Sequence, residues 1–176
     1  MKEILTVPMN GLASGRTEFR WYAGKAFFAQ FENSEILDAD LTVDAVVEKS
    51  GDYIGVDCEI DGSLTVLCDR CLEDLVMPVS TGFMLSVKFG AETAESEEEM
   101  EEGREIVYLK EGEGVLDLCQ IVYDYACLSL PIQRFHEAGG CNPVVMQYLN
   151  PQVVQESAES CAATPFASLK DLMNKE

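Results

Sequence analysis

Two short pairs of potential metal ligands constrain this sequence more than any other feature. Cys68 and Cys71 form a Cys-x2-Cys motif, and His136 and Cys141 form a His-x4-Cys motif far along the chain. His136 is the one histidine in the sequence. Zinc favours four ligands in a tetrahedron, drawn from thiolates and imidazoles. We therefore expect the two pairs to meet as a structural zinc site that joins a β-rich first half to a helical second half.

The spacing within each pair suits a shared ion. A Cys-x2-Cys turn folds back so that both sulfurs face one metal, and Gly139-Gly140 permits a tight path between His136 and Cys141. Four protein ligands leave no open coordination position, so such a site is structural rather than catalytic. Three thiolates and a neutral imidazole around Zn²⁺ leave one net negative charge, which Arg70 can offset.

Three other interpretations of these residues stay open. The thiols can pack in a metal-free interaction domain while His136 makes an ordinary hydrogen bond. Cys68 and Cys71 can form a thiol-disulfide oxidoreductase site, which requires a helix N-terminus to lower the thiol pKa; a helix beginning at Cys71 would favour this. His136 and Cys141 can also form a nucleophilic dyad. Two further cysteines, Cys119 and Cys127, are interpreted as small buried hydrophobes.

Alternating apolar residues predict an antiparallel β part over residues 1–90. Residues 4–31 have an extended pattern, and residues 40–89 have the pattern of a meander. Asp61-Gly62 predicts a hairpin turn, since both turn positions tolerate positive φ. Pro78 indicates an edge or a strand end. The expected fold is α+β, with a curled antiparallel sheet or an open β-barrel followed by a small helical part.

An acidic segment over residues 91–105 interrupts this pattern. Glu92 to Glu105 contains eight glutamates and one arginine. Like charges repel at this density and few apolar groups are available to bury, so we expect a mobile loop. A nucleic-acid mimic that docks on a basic protein is the alternative.

Residues 106–176 are expected to contain one more strand and the helices, completing a single domain over 1–176. Ile106–Leu109 has a strand pattern. A helix is predicted from an Asp117 cap, with Gln120 in a capping-box position, to a stop at Pro131. Shorter helices are predicted from Pro143 to about Leu149 and from Pro165 to about Met173, because each proline follows a capping residue. The apolar stripe of the first helix is Leu118, Ile121, Val122, Tyr125 and Leu128.

Composition excludes several classes of function. The net charge is −20, from 32 acidic and 12 basic residues. Broad nucleic-acid binding needs clustered Lys and Arg, so we expect a basic protein partner instead. No apolar run reaches the roughly 20 residues of a membrane helix, and the N-terminus is too interrupted for a signal peptide. We expect a cytoplasmic protein with reduced thiols and no catalytic group.

Three stretches together carry a family resemblance. Cys68–Leu72 is similar to a Cys-x-Arg-Cys core, and Thr164–Lys170 is similar to an Asn-Pro-Phe-Ala…Leu-Lys element in which Thr replaces Asn. Between them, a third stretch matches an acidic-helix, Leu-Pro, His-x4-Cys pattern through Asp117-Leu118, Leu128–Pro131, His136 and Cys141. In this order and spacing they resemble the YceD family of bacteria and plastids, the large-subunit ribosomal RNA accumulation proteins.

The resemblance implies a non-enzymatic, cytoplasmic factor that is needed for large-subunit ribosomal RNA to accumulate, in ribosome assembly or rRNA processing. Combined with the charge of −20, it leads us to expect that an acidic surface binds a basic ribosomal protein or an rRNA-processing factor.

Overall fold

The computed structural model describes residues 4–32, 34–90, 103–110 and 112–149. The chain divides into two compact units. The larger comprises Met1–Leu67 and Asp74–Arg134, and the smaller comprises Cys68–Glu73 and Phe135–Glu176.

Among the described residues, the larger unit contains seven strands and two helices, and the smaller unit contains one helix. In chain order the elements are β1 (Thr6–Pro8), β2 (Gly15–Gly24), α1 (Lys25–Phe28), β3 (Asp38–Ser50), β4 (Tyr53–Leu67), β5 (Asp74–Phe89), β6 (Glu105–Leu109), β7 (Val115–Asp117), α2 (Cys119–Leu128) and α3 (Pro143–Leu149).

A five-stranded sheet with the order β2-β3-β4-β5-β6 forms the body of the larger unit. Strands β2 to β5 pair antiparallel, and alternate residues along β3 are buried, from Ala39 to Val47. This alternation is what a sheet with one apolar face and one polar face produces. The predicted α+β fold is confirmed, and the sheet is not closed into a barrel, because β2 and β6 lie at its two edges.

Strand β6 pairs parallel to β5, unlike the antiparallel pairs from β2 to β5, with Leu85 opposite Glu105 and Phe89 opposite Leu109. Parallel neighbours need a long crossover between them. Residues 90–104 separate the two strands in sequence, which is long enough for such a connection. The predicted strand over Ile106–Leu109 is confirmed and begins one residue earlier.

The hairpin predicted at Asp61-Gly62 is wrong. Strand β4 continues through both residues, and Gly62 pairs with Leu41 on one side and Val79 on the other. Gly62 has a φ of +148°, and a Cβ built on it would lie 2.0 Å from the Asp40 carbonyl oxygen. Gly62 therefore allows β3 and β4 to approach closely and does not form a turn.

Helices α1 and α2 and the small β1-β7 sheet share one hydrophobic core with the five-stranded sheet. Residues 4–31 were expected to be extended throughout, but Lys25–Phe28 form a helical turn that buries the consecutive pair Phe27 and Phe28. Two adjacent buried side chains do not fit one face of a strand, which explains the change of conformation. Helix α2 packs on β5, where the Tyr125 and Phe83 rings lie 4.9 Å apart.

Helix α2 lies close to its predicted position. Asp117 accepts a hydrogen bond from the Cys119 backbone N–H at 2.8 Å, although the helix begins two residues after it. The predicted capping box is wrong, because the Gln120 side chain donates to Asp124. The stripe is also shorter than predicted, since Leu128 is 79% exposed.

Helix α3 confirms the prediction for Pro143–Leu149. The predicted Pro165 helix and most of the predicted acidic loop, residues 91–102, lie outside the described residues. None of the helices within the described ranges is long and apolar enough to cross a membrane.

Candidate metal centre

The four predicted ligands lie together in the smaller unit. The ligand atoms of Cys68, Cys71, His136 and Cys141 all lie within 4.8 Å of one another. Two of these residues come from the connection between β4 and β5, and two come from the chain after α2. The group can hold a metal ion, while the role of each residue as a ligand stays a prediction.

The spacing of the ligand atoms fits zinc. Zinc–sulfur bonds of about 2.3 Å and zinc–nitrogen bonds of about 2.0 Å at tetrahedral angles place two sulfurs about 3.8 Å apart, and a sulfur and a nitrogen about 3.5 Å apart. The Cys68 and Cys141 sulfurs are 3.9 Å apart. His136 Nδ1 lies 3.4 Å from the Cys71 sulfur and 3.9 Å from the Cys141 sulfur. The three thiols and the imidazole therefore lie at the separations that a tetrahedral zinc site with four protein ligands would require.

Backbone hydrogen bonds hold the Cys68–Cys71 turn. The Cys68 N–H donates to the Glu73 carbonyl at 2.8 Å, and the Leu72 N–H donates to the Cys68 carbonyl at 2.9 Å. Leu72 closes this turn with a φ of +58°, the one positive φ at a non-glycine residue in the described ranges. The turn brings two buried sulfurs to one side at the cost of backbone strain.

Hydrogen bonds to sulfur lower the pKa of the Cys68 thiol. Burial raises the pKa of this thiol. The backbone N–H groups of Cys71, Arg70 and His136, together with the Cys71 thiol, donate hydrogen bonds to the sulfur and outweigh burial. The pKa of Cys68 is therefore lowered to about 6. Thiolates, not thiols, bind metal, so this sulfur is prepared as a ligand.

The pKa of Cys141 is shifted in the opposite direction, upwards. Burial raises the pKa of its thiol, and the neighbouring Cys68 and Cys71 sulfurs raise it further. Several adjacent thiolates repel one another when no cation lies between them. A divalent cation would remove that repulsion and displace the remaining proton, which is how metal binding couples to proton release.

The His136–Cys141 loop depends on glycine, as predicted. Gly139 has a φ of +87°, and the Gly140 N–H donates to the Glu137 carbonyl at 2.9 Å. This compact loop returns the chain so that the His136 ring and the Cys141 sulfur face the same point.

Asn142 connects the two ligand-bearing segments. Its Oδ1 accepts a hydrogen bond from the Val144 N–H at 2.9 Å and so caps α3, while its Nδ2 donates to Glu73 Oε1 at 2.6 Å. Glu73 lies two residues after Cys71, so this bond fixes the second segment against the first. The sequence indicated that Asn142 caps a helix, but it did not indicate the hydrogen bond to Glu73. An exposed acidic residue after a turn does not reveal which distant residue it binds.

Arg70 lies on the surface of the same unit. Its guanidinium carbon is 3.9 Å from the centre of the Phe135 ring, a cation–π contact. Phe135 directly precedes His136, so the contact supports the orientation of the second ligand pair. The sequence predicted a charge-balancing role for Arg70, but it did not indicate the stacking on Phe135.

The remaining described cysteines lie outside the cluster. Cys58 is buried in the sheet, where burial, followed by Asp44 and Glu59, raises the pKa of its thiol to about 12. Cys119 and Cys127 are half-buried rather than fully buried. The oxidoreductase alternative gains no support, because residues 69–71 form a turn and no helix begins at Cys71. The dyad stays an alternative interpretation, since the Cys141 sulfur and His136 Nδ1 lie 3.9 Å apart.

Comparison with known proteins gives one match. A protein-family model described as "Large ribosomal RNA subunit accumulation protein YceD" matches residues 56–173. The matched region is more than half of the 176-residue chain and includes both ligand pairs. Neither a curated protein nor a solved structure matches the chain.

Proposed function

Because the chain belongs to the YceD family of large ribosomal RNA subunit accumulation proteins, we propose that it supports the accumulation of large-subunit ribosomal RNA in the cytoplasm without acting as an enzyme. The family match over residues 56–173 is the observation that carries this proposal. The candidate metal centre agrees with it, since a closed four-ligand set leaves no position for a substrate.

The four clustered residues serve as ligands of one structural zinc ion. When bound, zinc crosslinks the Cys68–Cys71 turn to the His136–Cys141 loop. The smaller unit contains few fully buried side chains among its described residues, chiefly Cys68 and Cys71 themselves. With so few buried side chains, the described part of this unit gains stability from a crosslink of this kind.

The factor acts through a basic protein partner rather than by broad RNA binding. Affinity for RNA rises with the number of phosphates that Lys and Arg neutralise. With 32 acidic against 12 basic residues, the chain instead attracts cationic surfaces, which ribosomal proteins and rRNA-processing factors offer.

Complementation tests the cellular role. Cells that lack the chain are expected to show a reduced ratio of mature large-subunit to small-subunit rRNA, which the wild-type chain restores. Cys68→Ser is expected to restore the ratio poorly, and Cys119→Ser, outside the cluster, to restore it fully. A normal ratio in cells that lack the chain would refute the proposed role.

A paired binding experiment tests whether the chain acts through a protein partner or by binding RNA. A pull-down against purified large-subunit ribosomal proteins is expected to retain a basic protein at low salt and release it at high salt. A gel shift with large-subunit rRNA is expected to show weak binding. Tight binding to the rRNA without a protein partner would contradict the protein route.

A further inference from the structure

A cleft of about 410 Å³ opens on the larger unit beside the C-terminal end of α2. Its apolar walls come from Ile36, Leu130, Pro131 and Ile132. A volume of this size falls within the range of roughly 300–1,000 Å³ that is usual for binding pockets. All residues that line the cleft belong to the larger unit, and none of them is a predicted metal ligand.

Two large apolar side chains next to the cleft are not used for folding. Ile132 lines the cleft and is 99% exposed, and Leu128, at the end of α2, is 79% exposed. Neither side chain contributes burial to the core, and Ile132 adds exposed apolar area to the wall of the cleft. Surfaces of this kind mark sites of interaction.

Aromatic packing makes one wall of the cleft rigid. The Tyr123 ring stacks on Phe31 with the ring centres 4.0 Å apart, and its centre lies 5.9 Å from that of Phe28. Phe28 is fully buried in the core. A preformed wall reduces the ordering cost when a partner side chain enters.

Two exposed carboxylates lie near the cleft. Glu35 lines the cleft with 73% of its side chain exposed and pairs with Arg134 at 2.8 Å. Asp124 is exposed on α2. Burial raises the pKa of the Cys127 thiol in the cleft wall; a hydrogen bond with Tyr123 opposes this shift, and Asp124 and Glu35 raise the pKa further. Both carboxylates therefore lie near Cys127. Because Arg134 offsets the charge of Glu35, the negative charge beside the cleft comes from Asp124 and from the net charge of −20 of the chain.

We propose that this cleft receives an apolar side chain of a basic protein, whose neighbouring Lys and Arg residues contact Glu35 and Asp124. The inference rests on the proposed function, because it gives the basic partner a docking surface. Charge complementarity favours this occupant. Nucleic acid would meet like charge, and a second copy of a chain with a net charge of −20 would be repelled by the first.

Site-specific photocrosslinking in cells identifies the occupant. The full chain carries p-benzoylphenylalanine in place of Ile132, or, as a matched control, in place of Val76, which is 64% exposed on β5 of the same unit. Crosslinking at position 132 to a basic protein identified by mass spectrometry, with none at position 76, is the expected result. A crosslink to RNA, to a second copy of the chain, to an acidic protein or to nothing would overturn the proposal.

Binding measurements with the identified protein test the contacts. Ile132→Glu is expected to weaken the affinity by about tenfold or more, because apolar anchors in pockets dominate interface energetics. Glu35→Lys is expected to weaken the affinity and reduce its salt dependence, and Val76→Glu to leave the affinity unchanged. Unchanged affinity of Ile132→Glu would refute the docking surface.

Complementation separates this inference from the proposed function. If Ile132→Glu restores large-subunit rRNA as well as the wild-type chain does, the docking surface is wrong and the proposed function stands. If cells that lack the chain have normal rRNA, the proposed function itself fails.

Discussion

Leu72 donates its backbone N–H to the carbonyl oxygen of Cys68 at 2.9 Å while it holds a left-handed backbone conformation with a φ of +58°. Its side chain is 69% exposed. Because the side chain is mostly exposed, its burial does not explain the strained conformation. The strain instead follows from the turn that brings the Cys68 and Cys71 sulfurs together.

Replacing Leu72 by glycine is expected to strengthen metal binding. A left-handed conformation costs a non-glycine residue about 1–2 kcal/mol, and glycine avoids this cost. Part of the gain is lost because glycine has more conformational freedom in the unfolded state. The net gain of roughly 0.5–1 kcal/mol corresponds to an affinity for zinc about two- to fivefold higher. Competition with a chromophoric chelator measures this affinity. Leu72→Ala keeps the Cβ and is the control; an equal gain in both variants would show that the side chain, not the backbone, is responsible.

Metal content tests the ligand set directly. Freshly purified, reduced protein is expected to contain one equivalent of zinc, and both Cys68→Ser and Cys141→Ser are expected to contain almost none, because a missing thiolate opens the tetrahedral shell. Cys119→Ser is the matched control, since its sulfur lies outside the cluster and accepts a hydrogen bond from the Leu5 N–H at 3.3 Å. A folded, metal-free wild-type protein would contradict the zinc assignment.

The sequence predicted those parts of the structure that follow from periodicity and residue chemistry. The alternation of Leu41, Val43 and Ala45 marks the buried face of β3, and the same rule holds along the neighbouring strands. The sequence also predicted that Cys68 and Cys141 lie close together. Three thiols and one imidazole in two short pairs are the ligands that a four-coordinate zinc site uses. Both predictions use patterns that depend on local geometry or on ligand preference.

Features that depend on the neighbouring strand could not be predicted. Gly62 in the sequence Asp-Gly looks like a hairpin turn, but its role is set by the approach of Asp40 from β3. The parallel pairing of β6 depends on the path of the connection before it. The bond between Asn142 and Glu73 joins residues far apart in sequence. Tertiary contacts decide all three, and single-residue preferences carry no information about them.

Gly62→Ala is expected to destabilise the larger unit severely. The added Cβ would lie 2.0 Å from the Asp40 carbonyl oxygen, and backbone atoms in the centre of a sheet cannot move aside. We expect a loss of about 3 kcal/mol or more in the free energy of unfolding, measured by urea denaturation. Gly24→Ala is the control, because its Cβ would meet only the flexible ring edge of Tyr22. A loss equal to or smaller than that of Gly24→Ala would contradict the close approach of β3 and β4.

The buried thiol of Cys58 is expected to make stability fall at alkaline pH. Burial, followed by Asp44 and Glu59, raises the pKa of this thiol from 9.0 to about 12. A raised pKa contributes stability that is fully present below the unfolded value and is lost between about pH 9 and pH 12. Between pH 8 and pH 10 the loss of stability from this one group is about 1.4 kcal/mol.

Urea unfolding of wild type and Cys58→Ala at both pH values isolates the contribution of Cys58, because the two proteins share all other titrating groups. The alanine variant is expected to lose about 1.4 kcal/mol less than wild type over this range; an identical loss in both proteins would show that Cys58 is not held as a neutral thiol.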